Sequence, residues 1–272
     1  MLQTTKKKLY SKLAQSVRDG GLASKPLIKI HALVETIYRY PSYDIAKNGE
    51  ELLMKICSNQ NFKCIFDIGA HTGDWTDSCR KYCKESSFFA FDVQEFAIDQ
   101  MRERFNGDEN ICVTQVALTD KGGSAKFYLD PRNLERCSAL QLDNYGQAVS
   151  LEVPATTGDL FCESHELGSI DLLKIDVEGA EHLVLKGFSE YLRLRKVKLI
   201  QFEYGQANIE SRFLLKDFYK LLQPLGYKLG LLHQHGVTFS DYSYDMEDFR
   251  GPNYVAVHSS QSDLISELTE KN

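Results

Sequence analysis

The chain has 272 residues, 43% hydrophobic and 26% charged, an ordinary globular composition with enough apolar residues for a substantial core. Its formal charge of −6 disfavours nucleic acid as a partner, because phosphate binding wants a basic surface. Seven cysteines without a C-x-x-C pair argue against a disulfide framework or a zinc site; with the polar start and no apolar run of membrane-spanning length, they lead us to expect free thiols in a cytoplasmic protein.

Along the chain, residues 5–20 read as a basic amphipathic helix with Leu9, Leu13 and Val17 on one stripe among lysines. A second helix starts at Ser24 with Pro26 in its first turn, buries Leu27, Ile30, Val34 and Ile37, and stops before Pro41. A third covers 49–58. Residues 1–60 carry a balance of +5 against −11 for the remainder, so we expect a basic helical head. Its role is that of a lid over the open strand edge or a homo-oligomer contact, with weak membrane-surface contact as the alternative.

From residue 61 to 260 strands alternate with helices. The strands expected are Lys63–Ile68, Ser87–Phe91, Asn110–Val116, Ile170–Ile175, Lys198–Phe202, Tyr227–Leu232 and Tyr254–His258; the helices are Gly73–Tyr82, Gln94–Phe105, Gly179–Lys186 and Ile209–Leu222. This alternation predicts an α/β fold with a doubly wound, mostly parallel seven-stranded sheet, followed by a tail over 261–272. Between the third and fourth strands, Ala125–Leu129 and Leu151–Pro154 read as an inserted hairpin or a pair of edge strands.

Ligands of such sheets bind beyond the C-terminal strand ends, so sequence position serves as a spatial coordinate. Asp67 ends the first strand and opens a loop with Gly69 and Gly73 that lacks the further glycine or Gly-Lys-Ser/Thr ending of phosphate loops; an acid there suits an ammonium group instead. Asp92 ends the second strand, at the spacing where an acid reaches ribose hydroxyls, and Val116 and Ala117 end the third, where a flat base fits. Asp176 and Glu203 end the next two. A single acid at a strand end often only caps a helix, but four on one edge repel one another unless a cation or shared protons relieve them.

The segments "CIFDIGAHTGDWT", "FFAFDVQ", "VTQVALTDKGGSAKF" and above all "IDLLKIDVEGAEHLVLKGF" followed by "LIQFEY" resemble the FkbM family of methyltransferases over roughly residues 60–258. The resemblance implies the class I methyltransferase fold, S-adenosylmethionine as cofactor and O-methylation of a small-molecule or glycan hydroxyl, often of a sugar. A non-catalytic cofactor-binding protein, or a methyltransferase of RNA or protein, is the competing reading. The cofactor residues are then Asp67 for the ammonium, the Gly69–Gly73 loop for the carboxylate, Asp92 for the ribose, Val116 and Ala117 for the base, and Val93 as a further contact. Two positions depart from the family pattern: His71 stands in place of the usual Asn, and Asp92-Val93 in place of Glu-Pro.

Methyl transfer to a hydroxyl needs in-line alignment and help in removing the proton. Asp176 and Glu178 are the candidates for that base. Glu181 and His182, on the same helical face as Glu178, and Glu203 are the candidate acceptor contacts. A divalent metal held by these carboxylates is a variant for which further oxygen ligands cannot be located.

Overall fold

The computed structural model describes residues 14–15, 18–19, 24–38, 42–130, 133–140, 148–251 and 253–269. The chain divides into two compact units, residues 1–41 and 42–272. Most of the helix expected over 5–20 lies outside the described residues. In the first unit, α1 (Ser24–Tyr38) forms as expected from its Pro26 start, but Leu27, Ile30 and Val34 are exposed rather than buried. No other described element of that unit covers them.

In the second unit, α2 (Glu50–Asn59) is part of the core rather than of a head: Leu53, Met54 and Cys57 are fully buried. There follow β1 (Cys64–Ile68), α3 (Asp74–Tyr82), β2 (Ser87–Asp92), α4 (Glu95–Arg104), β3 (Ile111–Gln115), β4 (Ala117–Leu118), β5 (Gly123–Asp130), β6 (Asn133–Ser138) and β7 (Val149–Thr156). Then come α5 (Gly158–Ser164), β8 (Ile170–Ile175), α6 (Glu181–Gly187), α7 (Ser189–Arg193), β9 (Val197–Glu203), α8 (Ala207–Ser211) and α9 (Leu215–Leu222). The chain closes with β10 (Tyr227–His233), β11 (Gly236–Phe239), β12 (Asn253–His258) and α10 (Ser262–Leu268).

The main sheet has eight strands in the order β11-β10-β12-β9-β8-β1-β2-β3. β9, β8, β1, β2 and β3 pair in parallel, while β12, β10 and β11 add antiparallel pairings at one edge. The expected sheet of seven is thus widened by β11, a four-residue strand too short to carry a period of its own. Strand order reverses between β1 and β8, which fixes the crevice where a ligand belongs.

Helices cover both faces. One core packs Phe66, Leu173, Ile200 and Phe202 of the sheet against α5, α6, α7 and α9. The other packs Ile65, Leu172, Leu199 and Val255 against α2, α3 and α10, so the expected tail contributes the buried Leu264 and Leu268. The single helix expected over Ile209–Leu222 is two helices, parted at Arg212, whose φ of 56° lies in the left-handed region. The helix expected from Gly179 starts at Glu181, because Glu178 and Gly179 both have positive φ.

The insertion is more than a hairpin. β5 pairs antiparallel with both β6 and β7, and β7 pairs in parallel with β4, making a separate four-stranded sheet in the order β4-β7-β5-β6. Phe127, Val153 and Ala155 form its apolar face, against which Val93 packs from the main sheet's edge. Among the described residues no helix is long and apolar enough to cross a membrane.

Because Leu53 is fully buried in the α2 layer, Leu53→Ala should lower the free energy of unfolding by about 2–5 kcal/mol in a urea titration. A loss below about 1 kcal/mol would remove α2 from the core.

Candidate active site

Parallel pairing places Asp67 opposite Lys174, and Lys174 opposite Gln201, so three polar side chains form one row across β1, β8 and β9. Lys174 Nζ stands 2.9 Å from Asp67 Oδ1, and Thr76 of α3 donates to Asp67 Oδ2 at 2.7 Å. Both charged side chains are almost wholly buried, at 6% and 1% exposure. Burial opposes the lysine's charge, but Asp67, Asp176 and Glu50 together outweigh it and hold its pKa above the ordinary value. Gln201 Nε2 donates to Glu50 Oε1 at 2.5 Å, and Asn48 Nδ2 donates to Glu50 Oε2 at 2.7 Å.

This row corrects the placement of Asp67. Expected to meet a ligand's ammonium, its carboxylate turns onto the α3 side of the sheet, where Lys174 and Thr76 satisfy it. The glycine loop that follows packs tightly on the end of β8: a Cβ at Gly69 would fall 1.8 Å from the Asp176 carbonyl oxygen. At Gly73, φ is 83° and a Cβ would stand 2.7 Å from the Phe105 ring. Only glycine fits either position.

Above the strand ends lies a cavity of about 410 Å³ lined by Gly69, His71, Asp92, Val93, Gln94, Val116, Ala117, Asp176 and Glu178, with Phe127 and Cys137 contributed by the inserted sheet. Asp92 is nearly buried; its Oδ2 accepts the His71 N–H at 2.8 Å and its Oδ1 the Gln94 N–H at 2.9 Å. Burial raises its pKa, with those N–H groups pulling the other way. Two buried polar atoms of the lining residues, His71 Nε2 and Gln94 Oε1, have no hydrogen-bond partner. Gln94 escaped the sequence reading although it is the last residue of "FFAFDVQ": a residue ahead of a helix reads as a cap, and nothing in the pattern says that it lines a cavity.

The acidic side divides into distinct environments. Asp176 keeps a 45% exposed side chain and has Lys174 Nζ at 3.5 Å. Glu203 is not among the residues lining the cavity; burial, then the negative charge of Asp176, Glu178 and Glu181, and a hydrogen bond to Asp176 push its pKa up. Glu178 is held at a φ of 53°.

Two expected acceptor contacts are placed elsewhere. Glu181 is 1% exposed, and its Oε1 accepts the N–H groups of Val177 and Gly179, each at 3.1 Å, while Oε2 has no partner. His182 stacks on Phe213 with ring centroids 4.7 Å apart, outside the cavity lining, and burial lowers its pKa. Among the described residues no three His, Cys, Asp or Glu side chains converge in a metal-binding group.

Burial raises the Glu181 carboxyl from 4.5 to about 7. Below pH 4.5 folded and unfolded states both hold the proton; between 4.5 and 7 only the folded state does, so stability falls as pH rises and levels off above 7. Glu181→Gln keeps an acceptor for both N–H groups and removes this titration. Its unfolding free energy relative to wild type should therefore rise by about 3 kcal/mol between pH 4.5 and 7, read from denaturant titrations across that range. A difference that does not change with pH would assign the raised acid to another residue.

Residues 67–229 match the family profile of the methyltransferase FkbM domain. The chain is 26% identical over 176 residues to the 2-O-methyltransferase NoeI of Sinorhizobium fredii, covering 58% of this chain and 70% of that protein. It is 24% identical over 144 residues to the hexuronic acid methyltransferase AglP of Haloferax volcanii, covering 52% of this chain and 56% of that one. A solved FkbM methyltransferase from Methylobacillus flagellatus superposes with a TM-score of 0.48 and 13% identity over 73% of this chain and 44% of its own, so the chain spans about half the length of these last two. The profile alone accounts for well over half of the sequence, and the chain belongs to the FkbM family of methyltransferases.

Proposed function

We propose that the protein uses S-adenosylmethionine to methylate a hydroxyl of a small molecule or glycan, with a sugar as the acceptor. The observation that carries this reading is the cavity at the strand-order reversal, whose lining combines His71 and Gln94, each with an unpartnered buried polar atom, with the carboxylates of Asp92, Asp176 and Glu178. Asp92 has given one lone pair on each oxygen to a backbone N–H and keeps others for a ribose diol. Gln94 Oε1 and His71 Nε2 lack the partners that an adenosine moiety offers, and Val116, Ala117 and Phe127 supply apolar walls for its base. Asp176, rather than Asp67, presents a carboxylate to the ammonium end. When bound, the cofactor supplies an electrophilic methyl group on a sulfonium centre.

The chain's own acids then divide the work. A sugar hydroxyl is a far weaker acid than a carboxylic acid, so its proton leaves as the methyl group arrives, and a positioned carboxylate must receive it. Glu178 lines the cavity and takes that role; Glu203, its pKa raised by burial and by the neighbouring carboxylates, is hydrogen-bonded to Asp176. The sugar acceptor is supported by the relatives, one named as a 2-O-methyltransferase and the other as acting on hexuronic acid.

Two substitutions separate binding from chemistry. Asp92→Ala should weaken S-adenosylhomocysteine binding roughly 10- to 100-fold by calorimetry, since charge-assisted hydrogen bonds contribute about 1.5–3 kcal/mol. Glu178→Gln should bind it like wild type and lower turnover on methyl glycosides about 10²- to 10⁴-fold. Tight binding by wild type with no methyl transfer to any glycoside, protein or RNA would favour a cofactor-binding protein without activity.

A further inference from the structure

We propose that Ser138 is a positioning residue through which the inserted sheet sets the orientation of Glu178. The proposal rests on the reading of Glu178 as the proton acceptor. Ser138 ends β6 and is fully buried. Its hydroxyl donates to the Glu178 carbonyl at 2.7 Å and accepts the Leu140 N–H at 3.1 Å. The serine stands 40 residues before the loop it touches and belongs to a different sheet.

The peptide it grips is one that needs gripping. Glu178 sits at a φ of 53° and Gly179 at 94°, and a non-glycine residue persists in that region only when its surroundings over-determine it. From the α6 side, Glu181 Oε1 takes the N–H groups of Val177 and Gly179. From the inserted sheet, Ser138 takes the carbonyl between them. The 178–179 peptide is thus held at both its carbonyl and its N–H, and on the other side of Glu178 the Val177 carbonyl accepts the Ala180 N–H at 3.4 Å, so the backbone at Glu178 is fixed and its side chain leaves in one direction. The neighbours of Ser138 on either side, Cys137 and Ala139, line the cavity, so a shift of that wall moves the serine and with it the acid.

The test has one arm that needs no acceptor. In hydrogen-exchange measurements on the full chain, Ser138→Ala should speed exchange at Val177 and Gly179 and leave α3 unchanged. On methyl glycosides that wild type accepts, it should lower kcat about 10- to 100-fold, the scale of a misplaced catalytic group, with the KM for S-adenosylmethionine unchanged. Ser138→Thr, which keeps the hydroxyl, should restore both. In a Glu178→Gln background the substitution should cost nothing further. Unchanged exchange at 177–179, or an equal loss of rate in the Glu178→Gln background, overturns the proposal. If Glu178→Gln alone keeps full turnover while Ser138→Ala still loosens the loop, the assignment of the base fails and the tie stands. Should Ser138→Ala not fold, Ser138→Cys, similar in size and a weak donor, is read by the same criteria.

Discussion

A lysine with almost no access to water holds the functional edge of this sheet in place. Lys174 lies between Asp67 on the neighbouring strand and Asp176 at the end of its own, with Trp75 beneath it at 5.5 Å from the ring centroid. Removing either member of such a pair leaves an uncompensated buried charge, a loss of roughly 3–5 kcal/mol in comparable sites. The pair also specifies register. Side chains alternate along a strand, so a slip of one residue between β1 and β8 would send Lys174 to the opposite face, among Phe66, Leu173 and Phe202. Strand pairing and the location of charge are thus one constraint.

That constraint decides which acids are available to a ligand. Asp67 is neutralised by Lys174, burial and then the neighbouring acids raise the pKa of Glu203, and burial raises that of Glu181 to about 7. Asp92, Asp176 and Glu178 are left on the cavity wall. A site that looks overcrowded with negative charge is resolved by different means at each residue.

Much of the frame was legible in the sequence because strand ends and loop glycines are local signals. The strands through Ile68, Phe91 and Ile175 fall where alternation puts them, and Gly69, His71, Asp92, Val93, Val116, Ala117, Asp176 and Glu178 all reach the same cavity. What was illegible depends on direction and distance. Strand periodicity separates two faces without saying which meets a ligand, so the turn of Asp67 toward Lys174 was hidden. Spacing puts Glu181 on a helical stripe with Glu178, yet the helix starts only at Glu181, whose carboxylate bends back to its own loop. The second sheet was read as a hairpin or a pair of edge strands because the two segments expected there, its central strands β5 and β7, are parted by a polar stretch in which β6 has no obvious apolar run. Ser138 lies in that stretch, and no local pattern connects it to a loop so far along the chain.

The two sheets that enclose the cavity share no strand pairing. The floor is a continuous ladder whose register is locked by buried charge; the roof is a small sheet entered and left through the same neighbourhood, after β3 and before α5. Lengthening a loop within such a roof carries a small entropic cost, about 0.6 kcal/mol for each doubling. Change in the two halves can therefore proceed at unequal rates, but only where the roof neither walls the cavity, as Ala117 and Phe127 do, nor reaches the loop after β8, as Ser138 does. The loops between its strands can lengthen without touching either contact.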